Sequence, residues 1–429
     1  MIFQRHRART IALTAFPPSL AAAALTTTLT APATATGAET ASCRAGALSQ
    51  FGACVTPVSP ARAASSPVTS TTRRAHRATR LNECWCWRFL RPEGLTGESS
   101  LTGISAPSAK SGWAVGRLGS APLALRWTGT RWRRTPLPLP DGTRLSAVSA
   151  GSAHDAWIVG SSADGTARTA HWNGRHWTPS ALPGAGGRPI LANHVAVRAR
   201  SDVWAVGSSN GFAGTMAVAW HFDGRKWTVT PTRSAPGSTL NAVAADAPND
   251  AWAVGSGGNG QLLLHWTGRS WTPTAPPRSA PSGPLSGVVA LAPDNVWAVG
   301  SGPSGAPFVE HWDGRGWALV PTPLSGPPGG RTASPQGTDG TAAIVSDGAR
   351  GVWISGTGAG SRHYLAHYDG AAWDVSRPPL PGASAGASAS ISALTRVPGT
   401  REVRAAGAVG RADGSPPTAL TWTNTPRPR

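Results

Sequence analysis

The chain has 429 residues, a formal net charge of +19, 40% hydrophobic residues, 20 tryptophans and four cysteines. This apolar content is ample for one large core, and the length is compatible with a single large domain. The positive charge is nearly all arginine and is spread along the chain, without a basic stripe interleaved with exposed aromatic residues, so we expect no nucleic acid partner.

The first segment, residues 1–35, is typical of a secretory signal peptide. It begins with Arg5, Arg7 and Arg9, continues into an apolar run, and ends in small residues that suit a cleavage site. Two consecutive prolines from Pro17 disfavour a stable membrane-spanning helix, and an uncleaved anchor is the alternative. We therefore expect an extracellular protein, released or associated with the cell wall, without stable membrane insertion after signal cleavage.

Residues 36–83 are rich in Ala, Ser, Thr, Pro and Arg, and they cannot bury enough apolar surface to offset the entropy lost on ordering. We therefore expect a disordered spacer. All four cysteines, Cys43, Cys54, Cys84 and Cys86, lie in this spacer or just after it. In an exported chain an even number suggests two disulfide bonds, and the three possible pairings stay open. A zinc site of four thiolates is the disfavoured alternative, because the usual spacing of two residues between paired cysteines is missing.

The rest of the chain is built from one repeat, which residues 240–276 show most clearly. The repeat reads as four short strands, LNAVAA, AWAVGS, LLLHW and WTPTAP, separated by turns or by a glycine-rich loop. A period of about 40 to 50 residues with four strands per repeat predicts the blades of a β-propeller. The tryptophan of the second strand recurs as Trp113, Trp157, Trp204, Trp252, Trp297 and Trp353.

The seventh repeat is incomplete, and it predicts how the ring closes. Arg404 replaces the second-strand tryptophan, and the chain ends after Trp422 without a fourth strand. A matching strand occurs before the first repeat, where Trp87 precedes the next first strand by the same spacing as Trp271 does. We therefore predict that residues 84–92 complete the seventh blade and remove two exposed sheet edges.

The predicted fold class is all-β, a seven-bladed β-propeller of four-stranded blades over residues 84–424, with a tail at 425–429. Connections between second and third strands, and links between blades, vary in length and emerge on one face of the ring. The longest link covers residues 321–340. Because variable loops on a rigid scaffold often carry binding residues, we expect a ligand on that face.

Residues that recur in nearly every blade are expected to have a structural role that all blades share. We therefore expect the tryptophans to pack one sheet on the next, and the third-strand histidines to pack or form local hydrogen bonds, rather than to bind sugar or metal. The aspartates before the second-strand tryptophans, such as Asp155, are expected to accept backbone N–H bonds in their turns. The histidines are His171, His221, His265, His311 and His367.

Residues that break the pattern are better site candidates. Glu310 occupies a third-strand position where other repeats have apolar residues such as Leu264 and Leu420, and His194 occupies a first-strand position that is otherwise Ala or Gly, as at Ala242. We take Glu310 and His194 as candidate ligand-binding residues, with a satisfied interior polar group as the alternative for each. We expect no metal site and no cofactor.

The strand DVWAVG at 202–207 and the hairpin WTGRSW at 266–271 resemble the exported kelch-like and Asp-box (sialidase-like) propellers of high-GC bacteria. The resemblance implies the fold. A sialidase-like site would need a tyrosine nucleophile backed by a glutamate, and the chain has only Tyr364 and Tyr368, close together on one strand. We therefore favour a monomeric, non-catalytic binding or scaffold propeller that recognises a glycan, a cell-wall polymer or a protein. The alternative is a glycosidase-like enzyme with its carboxylates at the ring axis.

Overall fold

The computed structural model describes residues 83–184, 190–211, 214–258, 260–303, 305–322, 343–358, 362–381, 387–410 and 414–428. Within these ranges every regular element is a β-strand, and no helix has the length and apolarity to cross a membrane. The predicted signal peptide, and the predicted spacer except for its last residue, lie outside these ranges, as do Cys43 and Cys54. Those predictions and the disulfide pairing therefore stay open.

Seven antiparallel sheets of four strands form the blades. The strands of blades 1 to 3 are β2 (Ser99–Ser108), β3 (Ser111–Leu118), β4 (Ala121–Trp127), β5 (Trp132–Thr135), β6 (Arg144–Ser152), β7 (Asp155–Ser161), β8 (Ala167–Trp172), β9 (Trp177–Ser180), β10 (Ile190–Ala199), β11 (Asp202–Gly211), β12 (Gly214–Phe222) and β13 (Trp227–Thr230). Those of blades 4 to 6 are β14 (Thr239–Ala247), β15 (Asp250–Gly257), β16 (Gly260–Trp266), β17 (Trp271–Pro273), β18 (Leu285–Ala292), β19 (Asn295–Ser301), β20 (Pro307–Trp312), β21 (Trp317–Val320), β22 (Ile344–Ser346), β23 (Val352–Gly358), β24 (Arg362–Tyr368) and β25 (Trp373–Ser376). Blade 7 combines β26 (Ser388–Arg396), β27 (Val403–Gly410) and β28 (Thr418–Pro428) with β1 (Glu83–Leu90).

The predicted closure of the ring is confirmed. Strand β1 pairs antiparallel with β28, which sets Trp87 opposite Asn424 and Leu90 opposite Thr421. The first strands of all seven blades contact their neighbours in a continuous ring around the axis. Strand β28 also continues through residues that we predicted as a tail, as far as Pro428, because the start of β1 offers its backbone a partner.

In six of the seven blades as described, the second strand contains a glycine where a β-bulge distorts the neighbouring first strand. In most blades the register of the first strand shifts by one residue, as it does between Leu240 and Ala242. The bulge brings a main-chain carbonyl against the second strand, so that a Cβ added at Gly255 would lie only 2.0 Å from the Thr239 oxygen. This close approach explains the glycine of the repeated A-V-G sequence.

The bulged residues are small and polar, and three of them donate a hydrogen bond to the inner strand of the next blade. The Thr102 hydroxyl donates to the Leu145 carbonyl of the next blade at 2.7 Å, and the Asn193 amide donates to the Leu240 carbonyl at 2.8 Å. The Asn241 amide likewise donates to the Leu285 carbonyl at 2.8 Å, and these three bonds fix the position of one inner strand on the next. The bulged residues are Thr102, Ser146, Asn193, Asn241, Ser286 and Ser392.

The strand order gives the ring two different faces. Turns that join first to second strands and third to fourth strands lie at one end of every sheet, which we call the short-turn face. The other connections and the links between blades lie at the opposite end, which we call the loop face. Most of the longest link, residues 323–342, lies outside the described ranges, so ligand binding on the loop face stays a prediction.

Candidate functional site

The second-strand tryptophans fill the interfaces between blades, as the repeat predicts. Trp113 of blade 1 is fully buried, and its ring centroid lies 4.8 Å from that of Trp172 and 4.7 Å from that of Trp177, both in blade 2. Edge-on and tilted contacts of this kind stabilise the packing beyond the buried area alone. The same insertion into the next blade is made by Trp157, Trp204, Trp252, Trp297 and Trp353.

The repeated histidines form local hydrogen bonds, but their partners correct one expectation. The imidazole of His171 stacks on Trp157 with ring centroids 4.5 Å apart, and its Nε2 lies 2.6 Å from Asp155 Oδ1. Asp155 thus binds the histidine instead of the backbone of its own turn. The strand register sets His171 opposite Trp157, and Asp155 lies two residues before Trp157 on the same face of β7. Four other blades repeat the contact, with the pairs His221–Asp202, His265–Asp250, His311–Asn295 and His367–Asp347.

Glu310 lies on β20 and is fully buried, opposite Ala298 and Leu319. Neither carboxylate oxygen has a hydrogen-bond partner among the described residues. Burial raises the pKa of Glu310 to about 7, and the nearby side-chain amide of Gln261 in blade 4 offsets only part of that effect. This amide is directed elsewhere, since its nitrogen donates to the Pro281 carbonyl at 3.2 Å. Glu310 is therefore a buried acid that its surroundings compensate only in part.

The register also corrects one comparison used for Glu310. In blade 7 the equivalent residue is Trp422 and not Leu420, because Trp422 pairs with Ala405 as Glu310 pairs with Ala298. Both Leu420 and Trp422 belong to one alternating apolar face, so the sequence alone does not distinguish them.

His194 lies on the inner strand β10 and is half-buried. Its Nδ1 accepts a long hydrogen bond of 3.4 Å from the backbone N–H of Val243 in blade 4. Burial lowers the pKa of His194 to about 4, so the imidazole is neutral at physiological pH. His194 belongs to blade 3 and Glu310 to blade 5, with blade 4 between them. The structure therefore does not bring the two predicted site residues together.

The described inner strands carry a single carboxylate, Asp246 on β14. Burial raises the pKa of Asp246, and the negative charge of Asp250 adds to the effect. Asp250 itself is hydrogen-bonded to His265. Within the described ranges no group of three or more His, Cys, Asp or Glu side chains could hold a metal ion.

The interface between blades 7 and 1 departs from the repeated packing. Arg404 stands where the other interfaces have the inserted tryptophan, and Thr423 stands opposite it in place of the histidine. The guanidinium carbon of Arg404 lies 5.1 Å from the ring centroid of Trp127 in blade 1, a cation–π contact. Because a guanidinium fills less space than an indole, a cavity of about 40 Å³ remains.

We call this cavity the closure pocket. Apart from Arg404 it is lined by Leu90, Trp127, Trp132, Glu402, Thr421, Trp422 and Thr423. It lies toward the short-turn face, since Arg404 Nη2 donates to the carbonyl of Ala109 in the first turn of blade 1 at 3.0 Å. A water molecule needs about 10–15 Å³ of cavity volume, so the pocket has room for about three or four waters or for one substituent of a larger ligand.

Polar groups surround the closure pocket on one side. Glu402 Oε1 accepts from Arg404 Nε at 2.7 Å and from the Thr423 hydroxyl at 3.1 Å. The Thr421 hydroxyl accepts from Trp132 Nε1 at 3.0 Å. Arg404 is only 7% exposed, yet its Nη1 has no partner in the described part of the chain. The pocket thus combines indole surface with a carboxylate and hydroxyl groups, and the unpartnered guanidinium nitrogen is buried beside it.

Sequence reasoning noticed the replacement at Arg404 but did not treat it as a site. The sequence did offer one indication of a site. Arg404 lies in the seventh repeat, the incomplete one that strand β1 completes. The consequence depends on how Arg404 packs against Trp127, which the pattern of one strand does not specify.

No protein family matches the chain, and no curated protein sequence matches it. The resemblance to kelch-like and Asp-box propellers therefore stays a prediction. Solved structures resemble the chain at low sequence identity.

Three solved structures illustrate that likeness. YCF48 bound to D1 peptide is 14% identical, over 79% of this chain and 94% of that one, with a TM-score of 0.49. The BP39L lectin from Burkholderia pseudomallei is 16% identical, over 76% and 96%, with a TM-score of 0.49. A fungal lectin from Aleuria aurantia, described as a six-bladed propeller that recognises fucose, is 14% identical, over 67% and 98%, with a TM-score of 0.45. At these sequence identities and TM-scores, the ligands of the similar structures are not assigned to this chain.

Proposed function

We propose that this protein is a secreted, monomeric, non-catalytic propeller that binds carbohydrate, as a free glycan or as part of a cell-wall polymer. The observation that carries the proposal is the closure pocket, where Arg404 replaces the tryptophan that fills the other blade interfaces. A repeat protein that leaves its common packing at one interface gives up stabilising contacts there, and ligand binding is a reason for doing so.

The chemistry of the pocket suits a sugar. Carbohydrates present hydroxyl groups beside apolar C–H faces, and binding sites for such ligands combine aromatic surface with a few placed polar groups. Glu402 and Thr423, which line the pocket, supply a carboxylate and a hydroxyl. The volume limits entry to one hydroxyl or hydroxymethyl group, so the rest of the glycan would lie outside the pocket.

The alternative function, a glycosidase with its site at the axis, has less support. Glycosidases place two carboxyl groups roughly 5 to 9.5 Å apart across the bond that they cleave. The single inner-strand carboxylate in the described ranges, Asp246, has Asp250 as its charged neighbour, and Asp250 is engaged by His265. The proposed binding requires no cofactor.

A filled-pocket variant tests the proposal. Restoring the residues used by other blades, Arg404→Trp together with Thr423→His, should close the pocket while keeping the interface packed. Purified wild-type protein is screened on a glycan array, and the selected glycan is titrated calorimetrically. We expect the double variant to lose binding by at least about a hundredfold, because the pocket that receives the sugar group is gone.

Val229→Thr is the matched control, since Val229 is 39% exposed and lies on β13, in a different blade. It should bind like the wild type. Equal affinity of the filled-pocket variant for the same glycan would contradict the proposed site, and hydrolysis of the glycan by the wild type would contradict the non-catalytic function.

A further inference from the structure

The positive charge of this protein is not uniform on the short-turn face. The tight turns between third and fourth strands carry an arginine at the same place in several consecutive blades, with Arg175 in blade 2, Arg225 in blade 3 and Arg269 in blade 4. Lys226 follows Arg225, and Arg200 lies in the other turn of blade 3. All five side chains are exposed. We call these five residues the cationic arc.

The turns hold these residues in a fixed backbone conformation. Gly224 has a φ of 93°, and Asp223 Oδ1 accepts the backbone N–H groups of Arg225 and Lys226 at 2.8 and 2.9 Å. A Cβ added at Gly224 would lie 2.8 Å from Ser201 Cβ, which shows that the two turns of blade 3 are in contact. The cations of both turns therefore share one surface.

No carboxylate lies within 4 Å of a cationic group of the arc in the described part of the chain. Within these blades, Asp202 and Asp250 are buried and hydrogen-bonded to His221 and His265. The hydrogen bonds from the backbone N–H groups of Lys226 and Arg225 lower the pKa of Asp223, which stays a single exposed negative charge. Five cations thus face one exposed acid in these turns, together with the half-buried Asp246 at the end of β14.

The neighbouring blades also carry cations on this face, among them the exposed Lys110 in the first turn of blade 1, but most of these have acids beside them. In blade 1, Arg131 Nη1 lies 3.7 Å from the exposed Glu93. In blade 5 the turn arginine, Arg315, shares its turn with Asp313, and in blade 6 the turn has Asp369 and no arginine. The exposed positive charge of these turns is therefore in excess in blades 2 to 4. It is largely balanced in blade 5, where Asp294 and Asp313 accompany Arg315, and in blade 6, where Asp369 accompanies Arg350.

We propose that the cationic arc is an interaction surface for a linear anionic polysaccharide whose acidic groups are carried at intervals along the chain. Guanidinium groups bind carboxylate or sulfate through paired hydrogen bonds, and repeated turns present several of them to one extended ligand. Nucleic acid fits less well, because single strands need exposed aromatic side chains for base stacking, and the exposed large hydrophobic residue of the described ranges is Val229. This proposal does not depend on the closure pocket.

Two triple variants with the same change in net charge test the surface. Arg225→Gln, Lys226→Gln and Arg269→Gln remove three cations of the arc. Arg91→Gln, Arg278→Gln and Arg377→Gln, the matched control, remove three exposed arginines from links on the loop face. Binding of the full chain to immobilised polygalacturonate is measured at about 0.02 M and about 0.2 M salt, with dextran as the neutral polymer and oligodeoxythymidine as the nucleic acid.

The arc variant should bind polygalacturonate about tenfold more weakly than the wild type at low salt, and the control should change it by less than about twofold. Raising the salt should weaken wild-type binding, and dextran should not bind through this surface. Equal losses in both triple variants would overturn the proposal, because they would show attraction by net charge alone. Tighter binding of oligodeoxythymidine than of polygalacturonate would overturn the choice of polysaccharide, and absence of polygalacturonate binding would overturn the proposal altogether.

Discussion

A carboxyl group that is buried without a hydrogen-bond partner destabilises the folded state whenever it is ionised. Glu310 is in this situation, and its folded-state pKa of about 7 lies above the ordinary value of 4.5. His194 has the opposite problem, since its folded-state pKa of about 4 lies below the ordinary 6.5 and its charged form is disfavoured. Both residues interrupt the repeat. Their effects on the pH dependence of the unfolding free energy have opposite signs.

For Glu310 the penalty is absent below pH 4.5, grows as the pH rises, and is complete above pH 7. Its full size is about 3 kcal/mol. Glu310→Leu, which restores the residue of blade 4, should therefore stabilise the protein more at pH 8 than at pH 5. Urea unfolding of both proteins at the two pH values measures this difference. A gain that is the same at both pH values would show that the carboxyl group is not ionised in the folded interior.

For His194 the stability is fully present above pH 6.5 and is lost as the pH falls toward 4. His194→Ala, the residue of blade 4, should remove this acid sensitivity. Between pH 4.5 and 6.5 the two slopes oppose each other, so the wild type should show a flatter stability profile than either single variant. Thermal unfolding of the three proteins across this range tests the expectation, which fails if the His194→Ala profile follows that of the wild type.

At the scale of single elements, the bulge and its glycine are the most restrictive feature of each blade. Gly255→Ala would place a methyl group 2.0 Å from the Thr239 oxygen, so backbone must shift and we expect a loss of at least about 1–3 kcal/mol. Gly258→Ala is the control, because its Cβ would meet no atom within 4 Å. Chemical denaturation compares the two variants. Equal stabilities would mean that the bulge relaxes freely around the added group.

The inserted tryptophans are the second element-scale test. Trp252 is fully buried and contacts Trp312 and Trp317 of the next blade at 5.0 and 5.3 Å. Trp252→Ala should cost about 3 to 5 kcal/mol in unfolding free energy. The folded fraction should bind the selected glycan like the wild type, since Trp252 does not line the closure pocket. A stable variant that loses binding would make Trp252 a ligand residue instead of a packing residue.

The repeat predicted these elements well because each blade meets the same physical demands. Trp157 and His171 recur with their neighbours, so their packing role followed from repetition. The closure of the ring followed from the matching position of Trp87. The partner of Asp155 was not predictable, because a turn aspartate can bind its own backbone or a side chain across the sheet. The closure pocket was also missed, since it depends on contact between Arg404 and Trp127 from opposite ends of the propeller sequence.

For the whole molecule, the strand β1 is the element that makes the ring continuous. It covers the outer edge of β28, and Trp87 packs on Trp353 with ring centroids 5.4 Å apart. Deleting residues 84–92 should expose sheet edges and cause aggregation or a large loss of thermal stability. Light scattering during thermal unfolding measures both effects. A deletion variant that melts like the intact protein would show that β1 is not needed for closure.

The ring also separates two possible ligand surfaces. The closure pocket lies toward the short-turn face, beside the first turn of blade 1. The variable loops lie on the other face, where sequence reasoning placed binding. These two locations predict different contacts for the same glycan, so a binding constant for the wild type alone does not distinguish them.

The most direct test is a crystal structure of the wild-type protein with the glycan selected on the array. We predict that one sugar hydroxyl or hydroxymethyl group lies in the closure pocket, within hydrogen-bond distance of Glu402 or Thr423 and against Trp127. A glycan bound only to the loop face, with the closure pocket holding water, would contradict the proposed site.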